Sequence, residues 1–369
     1  MSRERSRAVE TLFYPFETGS LDVPQTGAKA LFLNAQYHAA LDRFDAVLQQ
    51  HFKPDADVLK AHDFTVSPDI PDGGAAYDFV FVLLPKNVTE AAYLAARGLS
   101  ALKSGGVFVC AADNDAGGGR IKGMLQAFGV CNVRIESKHK ARVAWFEKAA
   151  FDAGAVFAAI DAGAVQPVLD GEFFSQPGVF GWNKIDTGSA LLAQHIPYDL
   201  SGAVADFGCG YGYLSRFILQ QCHGVRSLTC IDADARALEC AKQNLLSSCG
   251  LTAGSLDHRK DPAIKLQDDN IEINYLWADL ISAKPFGLFD TIIMNPPFHA
   301  GKVTDSDIGA AFIKTAAASL RQGGALWMVA NAGLPYEGVL HDYFKDVYKI
   351  VESQGFKVFR AGLSLSCGN

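Results

Sequence analysis

Short apolar runs alternate with longer segments of helical periodicity along the whole chain. YDFVFVLLPK (77–86) and FDTIIMNPPF (289–298) are dominated by consecutive apolar residues, as expected of buried strands. The segments that follow them, 89–106 and 310–324, space their apolar residues as a helix does. This alternation predicts an α/β fold with mostly parallel sheets.

The two halves of the chain repeat this order of elements. Each half has a strand, a helix that ends in Gly-Gly, a second strand and a closing hairpin. The segments are 77–86, 89–106, 107–114 and 132–149 in the first half, and 289–298, 310–324, 325–332 and 348–363 in the second. We therefore predict an internal duplication, with domains at 1–165 and 166–369. The Gly- and Pro-bearing segment 162–178 is the predicted linker.

Composition narrows the class of protein. A length of 369 residues suits two domains. The N-terminus lacks an apolar core of signal-peptide length, and no stretch approaches the length of a membrane span. The eight cysteines form no C-x-x-C pair, which argues against zinc or redox chemistry. We expect a cytoplasmic protein without a metal or a membrane partner.

The charge balance limits how a nucleic acid would be bound. The formal net charge is −7, so a nucleic-acid partner needs a local basic patch. The segment 132–149 is a candidate, since it holds five cations and two acids. A solvated hairpin and an RNA-contacting hairpin are equally compatible with this pattern.

A glycine loop follows the first apolar run of the second half. Asp206 precedes Gly208, Gly210 and Gly212, and a helical pattern then begins. Glycine at a strand-to-helix turn permits positive φ and close approach of a ligand to the backbone. The spacing departs from the dinucleotide pattern G-x-G-x-x-G, and Asp206 would repel a pyrophosphate. A tight structural turn is the alternative, but an acid here suits a cationic group such as an amino-acid ammonium.

Two further acids end the next two predicted strands. Asp232 ends the run that begins at residue 227, and Asp279 ends the run 273–280. At these ends, Asp232 is suited to accept ribose hydroxyls and Asp279 to accept an adenine amino hydrogen. Asp206, Asp232 and Asp279 together therefore predict an S-adenosylmethionine site.

The run 289–294 stops at Asn295-Pro296-Pro297-Phe298. Proline has no N–H to donate to a sheet ladder, so the chain leaves the sheet here. The Asn295 side-chain oxygen and the Pro296 carbonyl can accept both hydrogens of an amino group, and Phe298 can stack on a planar base. A plain corner in the chain is the alternative. The first half has Leu84-Pro85-Lys86 in the corresponding place and no glycine loop, which indicates a copy without a site.

These motifs resemble class I adenosylmethionine-dependent methyltransferases of the ribosomal RNA small subunit methyltransferase C type, which modify guanine N2. The resemblance covers nearly the whole chain, including the degenerate N-terminal copy. The segments that carry it are PGVFGWNKIDTGSALL (177–192), DFGCGYGYLS (206–215), NPPFHAG (295–301) and VANAGLPYEGVL (329–340).

The resemblance implies two tandem Rossmann-like methyltransferase domains. The C-terminal one would be catalytic, with a seven-stranded, mostly parallel sheet of order 3-2-1-4-5-7-6. The N-terminal copy would serve substrate recognition or structure. The implied cofactor contacts are Asp206, Gly208, Gly210, Asp232, Asp279, Asp186 and Gly188, and the implied amino-group contacts are Asn295, Pro296, Pro297 and Phe298.

The implied activity is S-adenosylmethionine-dependent methylation of a guanine N2 amino group in ribosomal RNA, with 16S rRNA as the expected target. The implied partner is ribosomal RNA or a ribosomal subunit, and a monomer is the default oligomeric state. Two points depart from the family or stay open. The segment 249–270 is longer than expected, which weakens the Asp279 assignment, and a relative that modifies the large subunit shares the layout.

Three other classes remain as alternatives. A protein-glutamine N5 methyltransferase needs the same two acceptors for a side-chain amide, but those enzymes carry a small helical N-terminal domain, whereas 28–149 has an α/β pattern. A DNA adenine methyltransferase would need a target-recognition insert after N-P-P-F. A non-enzymatic RNA-binding or ribosome-assembly protein would not need the glycines and acids. A measurement of cofactor binding would distinguish it from a methyltransferase.

Overall fold

The chain forms two compact units in the computed structural model. One unit holds residues 2–165 and 176–178, and the other holds 166–175 and 179–369. The structure describes residues 6–24, 27–72, 74–248, 263–265, 271–282, 285–297 and 305–363.

The N-terminal unit is built on a seven-stranded sheet. Its strands have the order β3-β2-β1-β4-β5-β7-β6, and β7 runs antiparallel to both its neighbours. The strands are β1 (Lys29–Leu33), β2 (Asp45–Gln49), β3 (Val66–Ser67), β4 (Tyr77–Leu83), β5 (Leu102–Asp113), β6 (Arg134–Lys138) and β7 (Ala141–Glu147).

Helices cover both faces of this sheet, because successive strand residues point to opposite faces. Leu31 and Leu33 pack in the core under one helical layer, whereas Ala30 and Phe32 pack under the other. The first layer contains α3 (Val88–Ala101), α4 (Ile121–Ala127) and α5 (Ala153–Gly163), and the second contains α1 (Arg7–Glu17) and α2 (Lys53–Ala61). Short 3₁₀ helices lie at Ala39–Arg43, Asn114–Ala116 and Gly118–Arg120.

The C-terminal unit repeats the same sheet and adds one strand. The order is β12-β13-β11-β10-β14-β15-β17-β16, and β17 is antiparallel to its neighbours. The expected order 3-2-1-4-5-7-6 is therefore confirmed for seven of the eight strands. They are β10 (Ser201–Phe207), β11 (Gly224–Asp232), β12 (Ala263–Lys265), β13 (Glu272–Trp277), β14 (Phe289–Met294), β15 (Leu320–Asn331), β16 (Asp346–Ser353) and β17 (Phe356–Gly362).

The extra strand comes from the segment 249–270 that is longer than expected. Within it only β12 lies among the described residues, and it pairs antiparallel with β13 at the sheet edge. The helices of this unit also form two layers. One contains α6 (Thr187–Ala193), α7 (Tyr213–Gln221) and α8 (Ala235–Ser248), and the other contains α9 (Asp305–Ser319) and α10 (Tyr336–Tyr343).

The segment predicted as a linker contains regular structure. Strands β8 (Gln166–Val168) and β9 (Phe173–Ser175) form an antiparallel hairpin. Val168 and Phe173 are buried in a small core with Tyr211 of the C-terminal unit. The Pro and Gly residues of this segment therefore punctuate a packed hairpin and not an open linker.

The Gly-Gly pairs lie inside strands and not at helix ends, in contrast to the sequence prediction. Helix α3 ends at Ala101 and α9 at Ser319, and β5 and β15 begin at the next residue. The strand register shifts at the corresponding place in both units, and Gly105 and Gly323 have φ of +73° and +78°. A bulge that needs positive φ explains why glycine stands there.

The duplication extends to single hydrogen bonds. In the N-terminal unit a carboxylate oxygen of Asp78, on β4, accepts the Lys29 N–H at 3.0 Å. In the C-terminal unit a carboxylate oxygen of Asp290, on β14, accepts the Ala203 N–H at 2.7 Å. Both acids thus bind the entry of the neighbouring central strand, which supports a common origin of the two units.

The same two acids also make equivalent ion pairs. Asp78 pairs with Lys103 at 2.8 Å and Asp290 with Arg321 at 2.7 Å. The side-chain hydrogen bond from Lys103 lowers the pKa of Asp78. Partial burial raises the pKa of Asp290, but the hydrogen bonds from Ala203 and Arg321 lower it by more.

The strand registers correct one alignment made from the sequence. Leu33 lies opposite Val82, and Phe207 lies opposite Met294. If Asp78 is matched with Asp290, the position of Asn295 falls on Leu83. Leu84-Pro85 therefore correspond to Pro296-Pro297, and the earlier match of Leu84 with Asn295 is wrong by one residue.

Candidate cofactor and acceptor site

The glycine loop connects β10 to α7 in a left-handed conformation. Gly208, Gly210 and Gly212 have φ of +74°, +55° and +87°, which explains the choice of glycine at all three. A Cβ on Gly212 would approach Ala241 to 3.0 Å, whereas a Cβ on Gly210 would meet nothing within 4 Å. Gly212 therefore permits packing against α8, and Gly210 faces open space.

An open cleft of about 430 Å³, a volume that includes open solvent, lies beside this loop. Four of the residues predicted from the sequence line it, namely Asp186, Gly208, Gly210 and Asn295. The other lining residues are Phe180, Gly181, Ser189, Cys209, Tyr211, Tyr213 and Leu214. The structure thus brings the glycine loop and the asparagine of N-P-P-F into one cleft.

Asp206 lies beneath the loop and does not line the cleft. It is 1% exposed, and its Oδ2 accepts a hydrogen bond from Ser215 Oγ at 2.6 Å. Burial raises the pKa of Asp206 to about 7, although the Ser215 hydrogen bond opposes this. Asp206 therefore has a partner within the protein, and its predicted contact with an ammonium group stays a prediction.

Asp232 ends β11, as predicted, and fixes the loop above it. Its Oδ2 accepts the Gly210 N–H at 2.8 Å and its Oδ1 accepts the Asp234 N–H at 2.9 Å. Burial raises its pKa to about 6, against these backbone hydrogen bonds. Asp232 does not line the cleft, but it is bonded directly to the loop through Gly210, and its contact with the ribose hydroxyls stays a prediction.

Asp279 and Gly188 are two further residues predicted from the sequence to contact the cofactor. The β13 strand ends at Trp277, so Asp279 stands two residues beyond it, where it accepts the Ile281 N–H and the Ser282 hydroxyl. Gly188 is buried, and its added Cβ would lie 3.0 Å from the Phe356 ring and 3.1 Å from Asp186 Oδ1. Neither residue lines the cleft, and their cofactor roles stay predictions.

Asn295 is held by two residues of the segment that precedes β10. Its Nδ2 donates to Asp186 Oδ1 at 2.7 Å and to Ser189 Oγ at 2.8 Å. Its Oδ1 is buried and accepts no hydrogen bond from the described part of the chain. A buried acceptor without a partner is costly, so this oxygen is a candidate contact for a ligand N–H.

The rest of N-P-P-F is only partly described. Pro296 is buried and Pro297 is exposed immediately after β14, consistent with a chain that leaves the sheet. Phe298 lies outside the described residues, so its stacking role stays a prediction.

Sequence reasoning missed several residues of the cleft. Phe180 is 61% exposed although it is aromatic, and it lines the cleft. Ser189 holds Asn295, and Tyr211 donates from its hydroxyl to the Lys184 carbonyl. Both Phe180 and Ser189 fall within the segment 177–192 already singled out by resemblance, which was the available signal. Trp182 packs on the small core beside the hairpin.

Comparison with protein families identifies the fold of the C-terminal unit. Residues 170–253 and 262–360 match the methyltransferase small domain family. These residues include the glycine loop, Asp232 and Asn295.

Curated relatives named ribosomal RNA small subunit methyltransferase C are similar to the chain. The relative from Psychromonas ingrahamii is 35% identical over 184 residues, which cover 50% of this chain and 46% of the relative. The one from Pseudomonas entomophila is 29% identical over 291 residues, which cover 78% of this chain and 79% of the relative. The chain spans about half the length of the former, and about four fifths of the latter.

One solved structure resembles the chain over nearly its full length. It is the Thermus thermophilus 16S rRNA N2 G1207 methyltransferase (RsmC) in complex with AdoMet and guanosine. The TM-score is 0.75 at 23% identity, with 98% of this chain and 93% of that chain covered. At this identity the likeness establishes the fold, two tandem methyltransferase-like domains.

Among the described residues, no helix combines the length and apolar character needed to cross a bilayer. In the same residues no group of three or more His, Cys, Asp or Glu side chains is arranged to hold a metal ion.

Proposed function

The chain belongs to the methyltransferase small domain family, and we propose that it methylates the N2 amino group of a guanine in ribosomal RNA. S-Adenosylmethionine is the proposed methyl donor and 16S rRNA the proposed target. The observation that carries this proposal is the cleft that Asn295 shares with the glycine loop. One side supplies a backbone suited to the cofactor, and the other supplies an acceptor suited to an amino group.

The residues of the loop fit the cofactor. Gly210 has room for a ligand against its backbone, and Asp232 is tied to that glycine through its N–H. We assign the ribose hydroxyls to Asp232, because an ionised carboxylate can accept from two hydroxyls. When bound, the cofactor supplies a methyl group on a positively charged sulfur.

The proposed work of Asn295 is to orient the acceptor and to change its electronic structure. An exocyclic amino group shares its lone pair with the ring, which makes it a poor nucleophile. If Asn295 Oδ1 and the Pro296 carbonyl accept its two hydrogens, the lone pair is drawn out of conjugation. Holding that lone pair in line with the methyl group at near-attack distance provides the rate enhancement.

The relatives support an RNA substrate. The two curated relatives described above carry the name ribosomal RNA small subunit methyltransferase C, and the Thermus thermophilus structure contains guanosine. We extend these properties to this chain as a proposal, with the cytoplasm as its compartment and rRNA or a ribosomal subunit as its partner. The protein-glutamine alternative is disfavoured, because the N-terminal unit is a seven-stranded α/β domain and not a small helical one.

We further propose the β6–β7 hairpin as an RNA contact. Lys138 and Lys140 lie at its exposed turn, and Arg134 and Arg142 are exposed on its strands. Lys148 does not belong to this surface, because its Nζ donates to the carbonyls of Leu99 and Leu102 and burial lowers its pKa. Four cations therefore remain for phosphate contacts.

The test is methyl transfer to defined ribosomal substrates. The purified protein is incubated with S-adenosylmethionine labelled on the methyl group and with small subunits, large subunits, naked 16S rRNA or a glutamine-containing protein substrate. The modified nucleoside is then identified by mass spectrometry. We expect N2-methylguanosine in small-subunit RNA. Label in protein, in large-subunit RNA or in no substrate would contradict the proposal.

A further inference from the structure

We propose that Asp186 is a positioning residue that sets the direction of the Asn295 side-chain amide, and not a contact to the cofactor. This inference rests on the proposed function, since it concerns how Asn295 meets the acceptor amino group. Asp186 would ensure that the amide oxygen of Asn295, and not its NH₂ group, is left for the ligand.

The contacts around Asn295 use both of its amide hydrogens. Nδ2 lies 2.7 Å from Asp186 Oδ1 and 2.8 Å from Ser189 Oγ. An amide NH₂ has two donors and its oxygen has none. With both donors used, Oδ1 is the only polar atom of this side chain left for a ligand, and no described residue donates to it.

Electrostatics favours this orientation of the Asn295 amide over the orientation rotated by half a turn. If the amide rotated by half a turn, Asn295 Oδ1 would replace Nδ2 about as close to Asp186 Oδ1, with no proton between the two oxygens. A carboxylate accepts hydrogen bonds and donates none when ionised. The rotated state would therefore lose a charge-assisted hydrogen bond and add a repulsion.

Asp186 is itself fixed by the start of α6. It is the N-cap residue of this helix, with φ of −67° and ψ of 133°, and its Oδ1 also accepts the Ser189 N–H at 2.9 Å. Gly188 has no side chain between this carboxylate and the Phe356 ring, where a Cβ would be 3.1 Å and 3.0 Å away. The Asp-x-Gly-Ser spacing of residues 186–189 thus holds the Asp186 carboxylate in place. Gly188 has a steric role in this arrangement, in place of a cofactor contact.

The arrangement also restricts the class of ligand that Asn295 accepts. An oxygen in this place is complementary to an N–H donor and repels a carbonyl oxygen or an unprotonated ring nitrogen. The pair Asp186 and Asn295 therefore selects a hydrogen-bond donor, such as an amino group, at the acceptor position. Asp186 lies 109 residues from Asn295 in sequence, so this selection depends on the fold of the whole C-terminal unit.

The experiment compares four full-length variants: Asp186→Ala, Asp186→Asn, Ser189→Ala and the exposed control Gln220→Ala. Single-turnover methylation of the small subunit is measured together with calorimetric titration of S-adenosylmethionine. We expect Asp186→Ala to slow the single turnover about 10- to 100-fold, as expected of a misoriented reacting group, with cofactor affinity within about threefold of wild type. Ser189→Ala should slow it less, because the carboxylate remains.

Asp186→Asn provides the rescue that separates positioning from charge recognition. An asparagine oxygen at this position can still accept from the Ser189 N–H and from Asn295, so most of the rate should return. If Asp186 instead bound a cationic group of the cofactor, Asp186→Asn would weaken cofactor binding as much as Asp186→Ala. That result would overturn the inference.

A second measurement does not depend on catalysis. The protein is labelled with ¹⁵N at asparagine side chains, and the Asn295 resonance is assigned by its loss in Asn295→Ala. Asp186→Ala should shift this NH₂ signal, whereas Gln220→Ala should leave it in place. An unchanged signal in Asp186→Ala contradicts the inference. If the signal shifts in Asp186→Ala but the wild-type protein methylates no RNA, only the proposed function is contradicted.

Discussion

The carboxyl ends of the two central strands, β1 and β10, differ far more than the sheets that carry them. Both sheets have the order 3-2-1-4-5-7-6, and both use an acid on the fourth strand to bind the first. After β10 the chain turns through three glycines beside an open cleft. After β1 it turns through Asn34, whose φ is +54°. The order of the seven common strands has been kept in both units, and the candidate site residues differ at this one edge.

In the N-terminal unit, amide side chains occupy that edge. Gln50 is fully buried, and its Nε2 donates to the Ala35 carbonyl at 2.7 Å and to Asn34 Oδ1 at 3.4 Å. Asn34 donates in turn to the Leu83 carbonyl, at the end of β4. The polar groups that a ligand would meet are thus bonded to one another, so this edge is satisfied without a cofactor.

Gln50 and Asp232 hold equivalent positions. Each follows the strand residue that pairs with the last residue of the central strand, Leu33 or Phe207. Each also accepts the N–H two residues on, from Phe52 at 2.8 Å or from Asp234 at 2.9 Å. The replacement of a carboxylate by an amide keeps this turn but removes the charged acceptor proposed for ribose.

The acceptor side of the edge differs in the same way. Leu83 stands at the register position of Asn295, and it is 4% exposed. An apolar side chain at this position gives no acceptor for an amino group. The comparison therefore supports the prediction that the N-terminal unit is a copy without a site, in which local substitutions changed this edge while the core was retained.

The largest expected effect is the loss of methyl transfer in Asn295→Ala. This substitution places an apolar side chain at the position that Leu83 occupies in the N-terminal unit. We expect single-turnover methylation to fall about 100- to 1000-fold, as for removal of one hydrogen-bonding group that acts in the transition state. Cofactor affinity should change little, because the interaction is absent from the ground state. Gln220→Ala, an exposed amide change in the same unit, is the matched control. A near-normal rate in Asn295→Ala would mean that N-P-P-F is a structural corner.

The next effect concerns the charged acceptor. Asp232→Ala should weaken S-adenosylmethionine binding about 10- to 100-fold, since hydrogen bonds to a charged group contribute about 1.5–3 kcal/mol. Calorimetry should give one site per chain for wild type, because Gln50 replaces the acid in the other unit. Glu239→Ala, an exposed acid on α8, serves as the control. Two sites per chain would show that the N-terminal unit also binds the cofactor, and full affinity in Asp232→Ala would contradict the assignment of Asp232.

The pH dependence of cofactor affinity gives a further test of the Asp232 assignment. The pKa of Asp232 is raised to about 6 by burial, so its carboxylate becomes protonated as the pH falls through 6. A protonated carboxyl is a poorer acceptor for two hydroxyls. Wild-type affinity for the cofactor should therefore decline below about pH 6, whereas the residual affinity of Asp232→Ala should be nearly independent of pH there. Parallel pH profiles would argue against the assignment.

The sequence predicted the scaffold better than the site, for a physical reason. Apolar alternation and the glycine and proline positions are local, so the duplicated strand–helix–strand order and the end of β11 at Asp232 followed from the pattern. The bond between Asp186 and Asn295 joins residues 109 positions apart, and no spacing rule predicts it. Asp206 was expected to face a ligand, but its burial under α7 and its bond to Ser215 depend on tertiary packing.

A smaller effect is expected from Gln50→Ala in the degenerate edge. The substitution removes a buried amide that donates to the Ala35 carbonyl and accepts from the Phe52 N–H. Loss of these bonds should lower the free energy of unfolding by about 1–3 kcal/mol, while cofactor affinity should stay at the wild-type value. Gln126→Ala, on the exposed face of α4, is the matched control. Weaker cofactor binding in Gln50→Ala would show that this edge still takes part in the site.

The smallest effect concerns Asp206→Asn, an uncharged replacement that can still accept from Ser215. Burial raises the pKa of Asp206 in the folded protein to about 7, well above the unfolded value. The folded state therefore holds a proton that the unfolded state has released, and this contribution to stability is lost as the pH rises from about 4 to 7. Asp206→Asn avoids the buried charge, so its melting temperature should exceed that of wild type at pH 8, and the difference should shrink toward pH 5. The exposed control Asp199→Asn should show no such trend in thermal unfolding. A difference between Asp206→Asn and wild type that stays constant with pH would mean that Asp206 is no harder to ionise in the fold than in the unfolded chain, and that its place beneath the loop does not raise its pKa.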